Sequence, residues 1–256
     1  MREIGRLREE TFRAVGEGTG QRRDIDAFDQ YYQHLILWDE EQLEIAAAYR
    51  FVDSAKIRAE KGSKGLYSGT LFEYEEKHNY FLDSGLELGR SFVQKRYWGK
   101  RGLDYLWYGI GAYLHNNPSY RYLFGPVSIS NTMPPLAKDL MVYFYRLYFK
   151  GPDAKSCSRT PFHFQEPISV LEKEFTGDNY RADFIRLKAL LANLGTSVPP
   201  LYKQYTELCE PGGVMFLDFN IDPDFNNCID GLVIVDAKQI KEKKLQRYIS
   251  EPTFLQ

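Results

Sequence analysis

The stretch GLELGRSFVQKRYWGKRGLDYLWYGIGAYL, residues 85–114, decides how the rest of the chain is read. LELGRSFV predicts a strand, with apolar Leu86, Leu88, Phe92 and Val93 around Glu87 and Arg90. QKRYWGKRG is a basic turn carrying Lys95, Arg96, Lys100 and Arg101 with Gly99 and Gly102. Apolar residues then recur at Leu103, Leu106, Trp107, Ile110, Tyr113 and Leu114, the spacing of one buried helix face. A strand feeding a helix through such a turn aims free backbone N–H groups and the positive end of the helix dipole at one point, which suits a phosphate. The competing reading is a solvated basic loop.

Upstream, residues 2–15 predict a helix with Ile4, Leu7, Phe12 and Val15 inward, and GEGTG at 16–20 predicts a flexible break. HLILWD and EIAAAYRFV predict an antiparallel hairpin over 33–52. KIRAEKGSKG reads as a charged loop, and LYSGTLFEYEE as a short helix or strand. Downstream, NNPS stops the helix and YRYLFGPVSIS, residues 120–130, predicts another strand. Pro126 would cost a ladder bond in a central strand, so this strand is expected to splay from a neighbour. Pro135 sits in the first turn of a helix over LAKDLMVYFYRLYF. Residues 150–197 are more polar and less periodic, and are expected as a helical insertion beside the core. PPLYKQYTELC predicts a helix, and GGVMFLDFNI and DGLVIVDAKQI predict strands around a DPDFNN turn. The order is an α/β layout with a mixed sheet, read as a single domain over residues 1–256.

Composition narrows the function. Lys and Arg number 33 against 35 Asp and Glu, a near-neutral balance that excludes a protein dominated by nucleic-acid binding. Cys157, Cys209 and Cys228 are widely spaced with no C-x-x-C, which suits a reducing compartment and carries no zinc signature. The scattered His34, His78, His115 and His163 suggest no metal site. No apolar run is long enough to span a bilayer, and charged residues rather than a signal core follow Met1. These features predict a cytoplasmic protein, with peripheral contact at the inner membrane face left open. The abrupt helical start leaves open that the chain is a domain of a longer protein.

The phrases LREETFR, DIDAFDQYYQHLILWD, AAYR, GLELGRSFV, LWYGIGAYL, YRYLFGPVSIS, PPLYKQYTEL and DPDFNN carry a resemblance over nearly the full length. The chain resembles the hemolysin-like and ornithine–acyl-carrier-protein N-acyltransferase branch of the GNAT superfamily. ELGRSFV and FGPVSIS are the most specific segments. Arg96-x-x-Gly99, followed by Gly102, imperfectly matches the turn that in GNAT enzymes holds the pyrophosphate of coenzyme A or the phosphopantetheine of a carrier protein. The resemblance implies a GNAT fold: a mixed central sheet with splayed fourth and fifth strands, flanked by helices, the acyl-pantetheine arm entering the wedge. It implies an enzyme that moves a long fatty acyl group, with or without a 3-hydroxyl, from acyl carrier protein or coenzyme A to the amine of a small amino acid such as ornithine or glycine, in bacterial aminolipid synthesis. Acyl-carrier-protein or coenzyme A thioester is then a co-substrate, and no cofactor is held permanently.

The related acyl-homoserine-lactone autoinducer synthases share a sparser set, matched here by Arg8 and Phe12, Asp26 and Asp29, Arg50, and Glu87 with Arg90. Their tryptophan between the Phe and the aspartates is replaced by GEGTG. That departure counts against S-adenosylmethionine and leaves autoinducer synthesis as an alternative. The alternative of another class is a non-catalytic module that binds a carrier protein or an acyl chain.

The resemblance implies a donor site of Phe92, Val93, Lys95, Arg96, Gly99, Lys100, Arg101 and Gly102. It implies an acceptor site drawn from Arg8, Phe12, Asp26, Asp29, Arg50, Ser128 and Ser130. Acyl transfer to an amine needs a proton acceptor, a donor to the developing oxyanion and a leaving thiol. Glu87 is the candidate base, with Arg90 beside it. A regular strand would send these two to opposite faces, and a bulge at Gly89 would bring them together. Arg8 and Arg50 either bind an amino-acid carboxylate or pair with Asp26 and Asp29. The aromatic residues of 97–124 and 143–149 either line an acyl tunnel or, the better-supported reading, form core.

Overall fold

In the computed structural model, which describes residues 1–151 and 157–250, the two alternating apolar runs close as an antiparallel hairpin. Its strands are β1 (Gln33–Asp39) and β2 (Glu44–Asp53). β2 pairs antiparallel with β3 (Gly85–Val93), which runs parallel to β4 (Tyr122–Ile129). A second hairpin, β5 (Val214–Asp222) and β6 (Cys228–Asp236), completes the sheet in the order β1-β2-β3-β4-β6-β5. The principal helices are α1 (Arg2–Ala14), α2 (Ser54–Lys61), α3 (Gly102–Asn116), α4 (Pro135–Phe149), α5 (Tyr180–Asn193) and α6 (Pro200–Thr206). This is a mixed sheet flanked by helices, as the resemblance implies.

One face of the sheet carries the larger core. Leu86, Leu88 and Leu123 meet Leu106, Trp107 and Ile110 of α3, Phe144 and Tyr145 of α4, and Leu187 and Leu191 of α5. Most of the aromatic stripe is therefore core. On the other face, Ile4, Leu7 and Phe12 of α1 pack on Ala48, Phe92 and Phe225. Each of those three side chains contributes roughly 1.5–3 kcal/mol on full burial, enough to hold α1 and the loop after it against the sheet.

Two irregularities shape the sheet. Pairing of β3 with β4 stops at Glu87–Phe124. Beyond it Gly125 presses on Leu88, whose carbonyl oxygen would lie 2.0 Å from any Cβ there, so only glycine fits. Pro126 follows, opposite Leu232 of β6, and has no β3 ladder bond to lose. The splay thus falls between the third and fourth strands in chain order, because among the described residues no strand precedes the hairpin. The second irregularity is in β3. Its register with β2 shifts between Ala48–Phe92 and Arg50–Gly89, so Tyr49 faces both Arg90 and Ser91, and Arg90 takes the left-handed region at φ 51°.

Two local expectations are corrected. KIRAEKGSKG is not a charged loop: its first residues belong to α2, capped by Asp53, whose carboxylate accepts from the Lys56 N–H at 2.9 Å. With Ser54 and Ile57 its buried residues, α2 shows almost no apolar period to read. GEGTG is not a flexible break, because the buried Glu9 carboxylate accepts from the N–H groups of Thr19 and Gly20, both at 3.0 Å. In the stretch 150–197, residues 152–156 lie outside the described residues, while Phe175, Phe184, Leu187 and Leu191 join the main core. Among the described residues no helix is long and apolar enough to cross a membrane.

Candidate active site

The first half of β3 backs onto a buried polar network. Glu87 is 1% exposed. It accepts from the Tyr32 hydroxyl, from the Tyr67 N–H at 3.1 Å and from the Ser68 N–H at 2.6 Å. Burial raises its pKa against the hydrogen bonds from Ser68 and Tyr32. Arg50 lies over the Tyr32 ring at 5.0 Å and donates to Asp26 at 2.6 Å and Asp29 at 3.0 Å. Arg8 donates to both oxygens of Asp29, at 2.9 and 2.6 Å. Burial opposes charge on Asp29, yet the Arg8 hydrogen bond and the Arg50 charge hold its carboxyl well below the usual range. Of the two readings left open for Arg8 and Arg50, they adopt the ion pairs with the aspartates.

The bulge turns Arg90 to the Glu87 side of the sheet. Its guanidinium lies 4.6 Å from the centre of the Tyr67 ring and 4.5 Å from that of Phe225, with Nε 3.2 Å from an Asp24 oxygen. Glu87 and Arg90 therefore meet the same tyrosine, one through its N–H and the other through its ring.

Where β4 leaves β3, two cavities open. The outer cleft, of about 780 Å³, runs from Tyr97–Lys100 along Ser91–Val93 to Ser128–Met133, roofed by residues 196–201 and walled by α1. The inner pocket, of about 90 Å³, is lined by Arg90, Tyr67, Tyr49, Tyr205, Phe225 and Asp230 among others. Phe12, Glu17, Ser91, Ser128 and Leu201 belong to both. Of the residues expected at a donor site, Phe92, Val93, Gly99 and Lys100 line the outer cleft. Lys95, Arg96, Arg101 and Gly102 do not line it. Arg96 pairs with Glu44 and Arg101 with Asp104, each at 2.8 Å, Lys95 is exposed, and Gly102 packs on Val93. Of those expected at an acceptor site, Phe12 and Ser128 line both cavities and Ser130 the outer one. Arg8, Asp26, Asp29 and Arg50 lie in the network instead, as does Glu87, and line neither cavity.

Two carboxylates at the cavities escaped the sequence reading. Glu17 follows Gly16, which has φ 78° and accepts from Ser130 at 3.2 Å and Asn226 at 2.8 Å. A Cβ at Gly16 would lie 2.5 Å from Thr132, so the loop is seated on the end of β4. Burial pushes Glu17 up to about 7, against a hydrogen bond from Ser128 and the charge of Arg90. Asp230 stands opposite Ser128 in the β4–β6 register and is 4% exposed. Its Oδ2 has no hydrogen-bond partner among the described residues. Burial, then the carboxylates of Asp222 and Glu17, push its pKa well up. A glutamate flanked by glycines and an aspartate heading an apolar strand were the available signals.

Comparison with known proteins agrees with this architecture. A family model described as acetyltransferase (GNAT) domain matches residues 7–108. A glycine N(alpha)-acyltransferase of Bacteroides thetaiotaomicron is 32% identical over 268 residues, covering 100% of this chain and 78% of that protein. One of the same name from Phocaeicola vulgatus is 31% identical, covering 97% of this chain and 79% of that protein. An L-ornithine N(alpha)-acyltransferase of Brucella abortus is 28% identical, covering 95% and 79%. No solved structure is a significant match.

Proposed function

The chain belongs to the GNAT acyltransferases, in the branch of amino-acid N-acyltransferases, and from that premise we propose that it transfers a long fatty acyl group from a pantetheine thioester to the α-amine of a small amino acid such as glycine or ornithine. The donor is acyl carrier protein or coenzyme A, and the product is the N-acyl amino acid from which an aminolipid is built. The observation that carries this reading is the meeting of the two cavities at the splay, beside Ser91 and Ser128.

The donor arm occupies the outer cleft. Because β4 departs after Glu87, that edge of β3 has no partner strand among the described residues, and its backbone N–H groups bond the pantetheine amides and the developing oxyanion. Lys100 and the turn at Gly99 face the phosphate end of the cleft. An acidic carrier protein docks over Lys95 and Lys100, while Arg96 is largely spent on Glu44. The apolar walls, Phe12, Val15, Phe92, Val93, Leu103 and Met133, take the acyl chain. The acceptor enters the inner pocket and presents its amine at the junction. Glu87 acts from behind, holding the Tyr67 N–H, while Arg90 lines the pocket itself with its guanidinium against the Tyr67 ring.

Incubating the protein with palmitoyl- or 3-hydroxypalmitoyl-carrier protein and each amino acid, then reading products by mass spectrometry, tests the proposal. An N-acyl amino acid formed with release of free carrier thiol is the expected result. Thioester hydrolysis alone, or no turnover with carrier-protein or coenzyme A donors, would overturn it.

A further inference from the structure

Resting on the acyltransfer reading above, we propose that Glu17 and Asp230 form the centre that receives the acceptor: Asp230 binds the ammonium of an α-amino acid, and Glu17 removes its proton at the junction with the acyl cleft.

Placement comes first. An amine that enters from the inner pocket and attacks a carbonyl held in the outer cleft passes the residues common to both. Phe12, Glu17, Ser91, Ser128 and Leu201 are those residues, and Glu17 is the carboxylate among them. Its position is fixed by the seated loop, with the Glu17 N–H bonded to the Phe12 carbonyl at 2.8 Å.

The unmet demand of the pocket is the second observation. Asp222 is satisfied by the Tyr67 hydroxyl at 2.7 Å and the Asp224 N–H at 2.9 Å. Asp230, equally buried, presents Oδ2 with no hydrogen-bond partner among the described residues. A buried carboxylate without a partner is expensive and calls for a cation. Arg90 is the cation of the pocket, and it is already engaged with Asp24 and two aromatic rings. An ammonium offers three donors and one charge. Asp230, Glu17 and the Ser128 hydroxyl are three acceptors for it at one end of the pocket. The acceptor's own carboxylate then lies toward Arg90.

Glu87 is not available for this work. Its oxygens already take three donors, and it lines neither cavity.

The chemistry balances without any further reagent. The ammonium gives one proton to the Glu17 carboxylate, and the freed lone pair attacks the thioester carbonyl, forming the C–N bond. The C–S bond breaks as the tetrahedral intermediate collapses, and the remaining surplus proton on nitrogen goes to the departing thiolate. Glu17 returns its proton to solvent. A base near neutrality suits this step, since it is ionised at working pH yet still a competent acceptor. The groups facing Glu17 are Arg90 on β3, Ser128 on β4, Asp230 and Cys228 on β6, and Tyr202 on α6. Burial outweighs Arg90 in that set.

The test is the pH profile of kcat/KM for the amino acid, in the wild type and in Glu17→Gln, Glu17→Asp and Asp230→Asn, each with a melting curve. The wild type should rise to a plateau above a pH of about 7. An enzyme that used only pre-formed neutral amine would keep climbing to the amine's own, much higher pKa. Glu17→Gln should lower kcat by about 100-fold or more, leave KM for the amino acid within a few-fold and erase the plateau. Glu17→Asp should recover part of the rate. Asp230→Asn should act mainly on KM, raising it by at least about tenfold. Transfer by the wild type with no inflection near 7, or by Glu17→Gln within a few-fold and with an unchanged profile, overturns this assignment alone. A wild type that acylates no amino acid overturns the functional reading and this one with it.

Discussion

Glu87 and Glu17 are two carboxylates of one fold in opposite circumstances. Glu87 is sealed, 1% exposed, and accepts from a tyrosine hydroxyl and two backbone N–H groups. Arg50 stands near it, held in turn by Asp26 and Asp29. Glu17 is half-buried on the border of two cavities, with the Ser128 hydroxyl and the Arg90 charge as its stabilising neighbours. The difference separates scaffold from chemistry. A satisfied carboxylate holds structure together, whereas one with unmet capacity and access has work to do on a ligand.

The largest expected effect is on the sealed side. Glu87→Ala leaves the Tyr32 hydroxyl and the Ser68 N–H without their acceptor, while the Tyr67 N–H keeps only its 2.8 Å bond to the Tyr32 hydroxyl. Unfolding in denaturant should show a loss of about 3–5 kcal/mol. A loss under about 1 kcal/mol would remove the network from the scaffold.

At the hinge between the two regions, Gly125→Ala would put a Cβ 2.0 Å from the Leu88 carbonyl oxygen. The strands must shift, at roughly 1–3 kcal/mol, and acyl transfer should fall further than stability does. Wild-type turnover in this variant would detach the splay from the reaction.

Within the basic turn the comparison sharpens to two cations. Lys100 lines the cleft, while Arg96 is paired with Glu44 and bonded to Gln42. Lys100→Ala should raise the donor KM by about tenfold, an effect that shrinks with added salt, and Arg96→Ala should change it little. The reverse order would move the phosphate contact to the hairpin side of the turn.

The smallest effect is on the pH dependence of stability. The folded pKa of Glu17 is raised from the usual 4.5 to about 7. The folded state therefore holds this proton more tightly than the unfolded chain does. Its contribution is complete below pH 4.5 and is lost as pH rises through 7. Glu17→Gln should flatten that decline. Asp29 has the opposite sign: its folded pKa is depressed, so its contribution is present above its usual pKa of 3.8 and is lost as pH falls below that. Parallel pH-stability curves for Glu17→Gln and the wild type would show that burial leaves Glu17 unperturbed.

What could be read from the sequence follows the same divide. The apolar alternation of 33–52 and 86–93, the helical period from Leu103 and the awkward Pro126 are local statements, and they led to the hairpin, the crossover and the splay. Arg8, Arg50, Asp26 and Asp29 were singled out together, and they do come together, as an ion-pair network rather than on a cavity wall. GEGTG misled because glycine content speaks only to backbone freedom, while the contacts that seat it come from Glu9 in the preceding helix and from Ser130 and Asn226 far along the chain. Asp230 looks in sequence like any charge at a strand end. Its missing partner becomes visible only once β6 is placed beside β4.

The central claim is that Glu87 serves stability and Glu17 serves turnover, and a paired measurement on Glu87→Gln and Glu17→Gln tests it most directly. Glu87→Gln places an amide N–H₂ against one backbone N–H donor, that of Ser68 at Oε1 or that of Tyr67 at Oε2, so its unfolding free energy should fall by about 1–3 kcal/mol, with kcat within about tenfold of the parent. Glu17→Gln should melt at or above the wild-type temperature and lose about 100-fold or more in kcat. The opposite pattern, a stable but inactive Glu87→Gln beside an active Glu17→Gln, would contradict the account and return the proton to Glu87.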